Sequence, residues 1–102
     1  MGAGTPGAGT PGAGAGFDPS RAYGLHPQVA IRPEPFGALA YHYGNRRLNF
    51  LRAPELVVLV HDLEHHDSVD AALAESTIPP ARQAAFRKAL AALADSEVIR
   101  AR

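Results

Sequence analysis

Gly44-Asn45 stands between two runs of alternating residues, Ala38 to Tyr43 and Arg46 to Leu51, and this punctuated alternation constrains the chain more than any other feature. Gly-Asn between such runs is the chemistry of a tight hairpin turn. A two-residue turn there sets Tyr41 opposite Leu48, Leu39 opposite Phe50, Ala40 opposite Asn49 and His42 opposite Arg47. One face is then large and apolar and the other small or polar, the pattern of a sheet with a single buried face. On that basis the large face is expected inside, with Tyr41 and Tyr43 supplying core area.

The flanking segments extend the pattern. Val29-Ala-Ile-Arg32 alternates and is ended by Pro33 and Pro35, so it reads as a short third strand. Pro54 suits the first turn of a helix whose Leu56, Leu59, Val60 and Leu63 recur at helical spacing to about His65. Asp67 or Ser68 can cap a second helix carrying Val69, Ala72 and Leu73. Pro79-Pro80 opens a third, with Phe86, Ala89, Leu90 and Leu93 as its inward stripe. Val98-Ile99 is expected to fold back onto the core. Three antiparallel strands followed by three helices belong to the α+β class.

Residues 1–16 differ in kind. They hold seven of the ten glycines, repeat Gly-Ala-Gly-Thr-Pro, and contain nothing apolar larger than alanine after Met1. Such a segment cannot offset its ordering entropy by burial, so it reads as a disordered leader before one domain at 17–102. Its G-x-G-x-x-G match at residues 2–7 lacks the flanking strand and helix that nucleotide binding requires.

Composition removes several function classes. There is no cysteine, hence no disulfide, thiolate nucleophile or cysteine-ligated metal. No apolar run is long enough to cross a membrane, and the first residues lack the basic start and apolar centre of a secretory signal, which points to the cytoplasm. His61-Asp-Leu-Glu-His65 fits the inverted zinc-peptidase pattern, but a helix end near a solvated acidic face explains the histidines as well. None of the four serines sits in a nucleophile elbow. No catalytic residue, metal or cofactor is expected.

Net charge is zero, yet the charges are sorted. Five arginines and one acid lie between Arg21 and Arg52, six acids and no Lys or Arg between Ala53 and Ser76, and five Lys or Arg and two acids from Thr77 onward. Two features follow. The third helix, with Arg82, Arg87 and Lys88, is compatible with a winged-helix module, although a neutral chain is a poor electrostatic match to nucleic acid. The strand Arg46–Leu51 is last in its sheet and directly precedes a helix, so its outer edge has no partner. Its arginines either blunt that edge or guide an acidic peptide into pairing with it, and the pattern leaves both open.

The segment from Leu25 to Leu51, above all Arg32-Pro-Glu-Pro-Phe-Gly37 and Tyr43-Gly-Asn-Arg-Arg47, resembles the mycofactocin precursor-peptide chaperones, a branch of the PqqD-like RiPP recognition elements. The similarity extends over about residues 22–100. It implies a winged-helix-like fold of three strands and three helices, and a non-enzymatic adaptor. Such an adaptor binds the leader of a ribosomally made precursor peptide and delivers it to a radical SAM maturase, with no nucleic acid or membrane partner. In that family the leader adds to the third strand and lies against the third helix. Carried over, the resemblance implicates Arg46, Arg47, Leu48, Asn49, Phe50 and Leu51 on the strand and Arg82, Phe86, Ala89 and Leu93 on the helix.

Overall fold

Each local signal produces an element in the computed structural model, which describes residues 16–102. The elements are β1 (Tyr23–Leu25), β2 (Val29–Glu34), β3 (Gly37–His42), β4 (Arg47–Leu51), α1 (Pro54–Asp62), a 3-10 turn (Leu63–His65), α2 (Val69–Glu75), α3 (Pro80–Asp95) and β5 (Ile99–Ala101). The expected leader at residues 1–16 lies, except for Gly16, outside the described residues.

The expected meander is present as an antiparallel sheet in the order β2-β3-β4. All four expected cross-strand pairs hold, from Leu39 opposite Phe50 to His42 opposite Arg47. The turn itself is longer than expected. The strands stop at His42 and restart at Arg47, with Arg46 in the left-handed region at φ 67°. Local bonds explain this. The Arg46 N–H donates to the His42 carbonyl at 2.7 Å, and His42 Nδ1 accepts the N–H groups of Gly44 and Asn45 at 3.1 and 3.0 Å. Four loop residues keep the register of two, because lengthening a symmetric loop by one residue on each side leaves the pairs unchanged.

The helices begin where their capping chemistry lies. Ser68 Oγ accepts the Ala71 N–H at 2.9 Å at the start of α2, while α1 and α3 open on prolines whose missing N–H costs nothing there. The end of α3 is a Schellman turn: Val98 N–H bonds the Leu93 carbonyl at 2.8 Å and Glu97 N–H bonds that of Ala94 at 3.0 Å. Glu97 takes the left-handed position usually given to glycine, at φ 64°. The turn directs the chain into β5, which pairs antiparallel with β1, Tyr23 opposite Ala101. This second, two-stranded sheet was not expected as such. Only the return of Val98-Ile99 to the core was, and both are buried there.

One core joins the layers. Leu56, Leu59 and Val60 of α1, Leu63, Val69 and Leu73, and Phe86, Leu90 and Leu93 of α3 pack together with Tyr23, Val98 and Ile99. The sheet meets them with the face opposite to the one expected. Ala38, Ala40, His42 and Leu51 are buried, whereas Tyr41, Leu48 and Phe50 point to solvent and Tyr43 is exposed as well. The helices already supply the bulk of this core, so the sheet lies close to them through two alanines. Gly37, at φ 146°, completes that close fit, since a Cβ there would collide with the Leu51 carbonyl oxygen.

Candidate functional site

Hydrogen-bond parity decides what β4 offers to a partner. The Tyr43 N–H donates to the Gln28 carbonyl at 3.0 Å, just beyond the Val29–His42 pair. Odd-numbered residues of β3 therefore direct their backbone groups toward β2, and even-numbered ones toward β4. In β4 the groups of Asn49 and Leu51 point to β3, as does the Arg47 carbonyl, while the Arg47 N–H donates to Asn45 Oδ1 at 2.9 Å. Those of Leu48 and Phe50 face the free edge, and β4 pairs with no other strand among the described residues.

The opposite edge of the sheet is closed chemically. The same parity turns the Val29, Ile31 and Pro33 nitrogens outward on β2, and Pro33 has no N–H to give. Arg32 and Glu34, in an ion pair at 2.7 Å, further charge that edge. Of the two edges, β4 is the one able to accept a strand.

Two ties link α3 to the segments that flank β4. At one end Arg82 Nη1 pairs with Glu55 Oε2 at 3.2 Å, just after β4 gives way to α1. At the other, Asn45 Nδ2 donates to the Ser96 carbonyl at 3.4 Å. These ties fix the two ends of α3 to the residues just before and just after β4. Yet α3 and β4 are not among the closely packed pairs of elements.

The ten residues implicated by resemblance fall into three groups. Arg46, Arg47, Leu48 and Phe50 are exposed, with Leu48 and Phe50 each 52% accessible, and Asn49 and Ala89 are half-buried. Leu51, Phe86 and Leu93 have side chains committed to the core, which restricts them to supporting the site from beneath. Arg82 is exposed but not free. It is paired with Glu55 and its guanidinium carbon lies 5.2 Å from the Phe86 ring centre. The Glu55 carboxyl is held below the usual carboxylate range by its own backbone N–H and by Arg82. Arg87 is likewise paired, with Asp70 at 2.9 Å. Among the described residues no carboxylate lies within ion-pair distance of Arg46, Arg47 or Arg52. Uncompensated positive charge thus surrounds β4, while on α3 Arg82 and Arg87 are paired and Lys88 has no ion-pair partner among the described residues.

Phe36, Leu39 and Tyr41 were absent from the expected site because the large sheet face was expected to be buried. The available signal was the alternate small set, Ala38 and Ala40, which suits a sheet pressed against helices. His42, on the small or polar face by the alternation, is buried as well. Its Nε2 is buried without a partner, and its ring centre lies 4.4 Å from that of His26.

Among the described residues the donor atoms of His26, His42 and Glu97 converge to within 4.8 Å, whereas His61 and His65 are exposed on the end of α1 and the turn after it. The histidine tautomers oppose a metal at the convergent group. His26 Nδ1 accepts the Gln28 N–H at 3.0 Å and His42 Nδ1 accepts two N–H bonds, which leaves each Nε2 bearing the proton in the neutral ring. A metal at Nε2 would require those backbone bonds to be given up. The cluster reads as support for the hairpin loop.

The profile of the peptide chaperone MftB family matches residues 22–100. The chain is 43% identical to the peptide chaperone MftB of Mycobacterium ulcerans over 81% of its own length and 76% of the relative's. It is 41% identical to that of Mycobacterium tuberculosis, with the same shares covered, and 42% identical to that of Mycolicibacterium smegmatis over 81% of each chain. No solved structure gives a significant match. A profile match across most of the chain, with relatives at this identity over most of both lengths, leads to one conclusion: the chain belongs to the peptide chaperone MftB family, a family of chaperones and not of enzymes.

Proposed function

We propose that this protein binds the leader of the ribosomally made mycofactocin precursor as an added strand on β4 and presents it to a radical SAM maturase in the cytoplasm. The observation that carries the reading is the open edge at Leu48 and Phe50, on the one edge of the β2-β3-β4 sheet not closed by proline, inside a patch of uncompensated arginine. Two residues there offer two N–H donors and two carbonyl acceptors. At about 0.5–1.5 kcal/mol net per bond they contribute about 2–6 kcal/mol, before the cost of ordering the peptide. Apolar leader side chains meeting Leu48, Phe50 and Ala89 supply the remainder, with Asn49 and Arg47 facing the α3 side. Leu51, Phe86 and Leu93 fix the two walls from within.

The PqqD-like, winged-helix-like arrangement fits the three-stranded sheet, the order of the helices and the ties of α3 to the residues flanking β4. No helix of the described residues is long and apolar enough to cross a membrane. The nucleic-acid alternative loses support because Arg82 and Arg87, two of the three cations of α3, are engaged by Glu55 and Asp70. Without cysteine the chain supplies none of the thiolates that hold an iron–sulfur cluster, so the redox chemistry is assigned to the maturase. Isothermal titration with synthetic leader peptide tests the proposal. Saturable one-to-one binding that weakens with salt is expected, and absence of binding at high micromolar peptide refutes it.

A further inference from the structure

Among the described residues the outward face of the β2-β3-β4 sheet carries no layer. Leu39 and Tyr41 on β3 stand opposite Phe50 and Leu48 on β4, and Phe36 reaches over from the β2–β3 turn to set its ring edge-on to Phe50 at 5.9 Å. Phe36 and Tyr41 are 37% and 38% exposed, and Leu48 and Phe50 more so. Taking about 200 Å² for a whole large side chain, these residues present on the order of 350 Å² of contiguous apolar surface. A patch of that size on a small protein is a common mark of an interaction site.

The rim is mostly cationic. Arg32 lies beside Leu39 in the register, Arg52 holds its guanidinium carbon 5.1 Å from the Phe50 ring centre, and Arg46 projects from the loop at the far end. The single acid nearby, Glu34, is bound to Arg32. We infer that this face is a second docking surface. Its occupant is the enzyme that acts on the held peptide, through an enzyme surface that is apolar at its centre and bordered by carboxylates. The inference rests on the peptide-adaptor reading above.

Charge and size select that occupant. In a two-fold dimer the face would meet itself and bring arginine rim against arginine rim, so a second copy is disfavoured. Roughly 350 Å² is also well short of the about 800 Å² per partner of a standard stable interface, and suits a partner that binds and leaves. A peptide added to β4 continues the same sheet, so its outward side chains border Leu48 and Phe50. An enzyme seated over Phe36, Leu39 and Tyr41 then stands next to the chain it must reach. Peptide and enzyme are held at adjacent surfaces, by backbone pairing at the edge and by side chains on the face.

The test uses full-length protein, purified radical SAM maturase and leader peptide. Phe36→Ser/Tyr41→Ser alters exposed side chains outside β4 and leaves the backbone groups of its free edge in place. It is expected to keep leader affinity within twofold while weakening maturase binding, with or without peptide, by tenfold or more. Arg32→Glu/Arg52→Glu is expected to weaken maturase binding more at low salt than at high salt, and it provides the reading should the serine variant lose its cooperative melt. Unchanged maturase affinity in a folded variant overturns the inference. In the Phe36→Ser/Tyr41→Ser variant, a parallel loss of leader affinity also overturns it and assigns the face to the peptide. So does concentration-dependent self-association of the wild type, by sedimentation, that the variant abolishes. Failure of the wild type to bind leader would sink the adaptor reading instead, while maturase binding measured without peptide still decides the face.

Discussion

Parity along β4 makes two neighbouring residues respond in opposite ways to the same substitution. Leu48→Pro removes an N–H that faces the free edge, and the side chain it replaces is half-exposed. Proline on an edge with its nitrogen outward is tolerated, so the stability loss should stay near 1 kcal/mol. Asn49→Pro removes a bond of the β3–β4 ladder and sets the ring against β3, at a cost of about 3 kcal/mol or more. For a domain of this size, each kcal/mol lowers the melting midpoint by about 4–8 °C, so the second variant should melt at least about 10 °C below the first. Peptide binding should follow the reverse logic. Leu48→Pro forfeits one net hydrogen bond to the leader, about 0.5–1.5 kcal/mol, or roughly two- to twelvefold in affinity beyond the loss measured for Leu48→Ala. Circular dichroism melts and leader titrations on the three variants are sufficient. Equal destabilisation by the two prolines would refute the parity, and Leu48→Pro binding leader as well as Leu48→Ala does would refute strand addition.

Four further outcomes follow from other parts of the molecule. Gly37→Ala should destabilise by on the order of 3 kcal/mol in urea unfolding, since neither its φ nor the Leu51 carbonyl leaves room for a Cβ. Leu90→Ala, at a fully buried position of α3, should cost about 2–5 kcal/mol in the same assay, whereas Arg87→Ala, which breaks only the exposed pair with Asp70, should cost at most about 1 kcal/mol. Burial first, then His42 and Arg100, hold the His26 pKa below its ordinary value of about 6.5, against a smaller opposing effect of Glu97. The folded state thus favours the neutral ring, and this contribution is full above pH 6.5 and is lost as pH falls, so His26→Gln should flatten the decline of the melting midpoint between pH 7 and pH 5. Dialysis against EDTA should leave the melt and leader binding unchanged, and stoichiometric zinc that resists dialysis and is lost in His42→Gln would contradict the tautomer assignment.

The sequence by itself determined what depends on neighbours along the chain. The Ser68 cap, the prolines opening α1 and α3, the helical stripes and the register around Gly44-Asn45 are all local signals, and each appears in the structure as read. The strand edge was legible too, because a strand that ends its sheet and runs straight into a helix has no topological partner. Alternation with period two is symmetric, however. It shows that a strand has two faces without saying which one meets the helices, and the usual preference for burying the larger side chains pointed the wrong way. Only the tertiary structure settled this. With Leu56, Leu59, Leu63, Leu73 and Leu90 already filling the interior, the space left under the sheet fits Ala38 and Ala40, and the aromatic residues are turned to solvent. The same holds for the pairing of Tyr23 with Ala101, the ties of α3 at Glu55 and Asn45, and the choice of Leu48 and Phe50 as the outward-facing positions. Each depends on contacts between residues far apart in the chain, and those are fixed by how the layers pack.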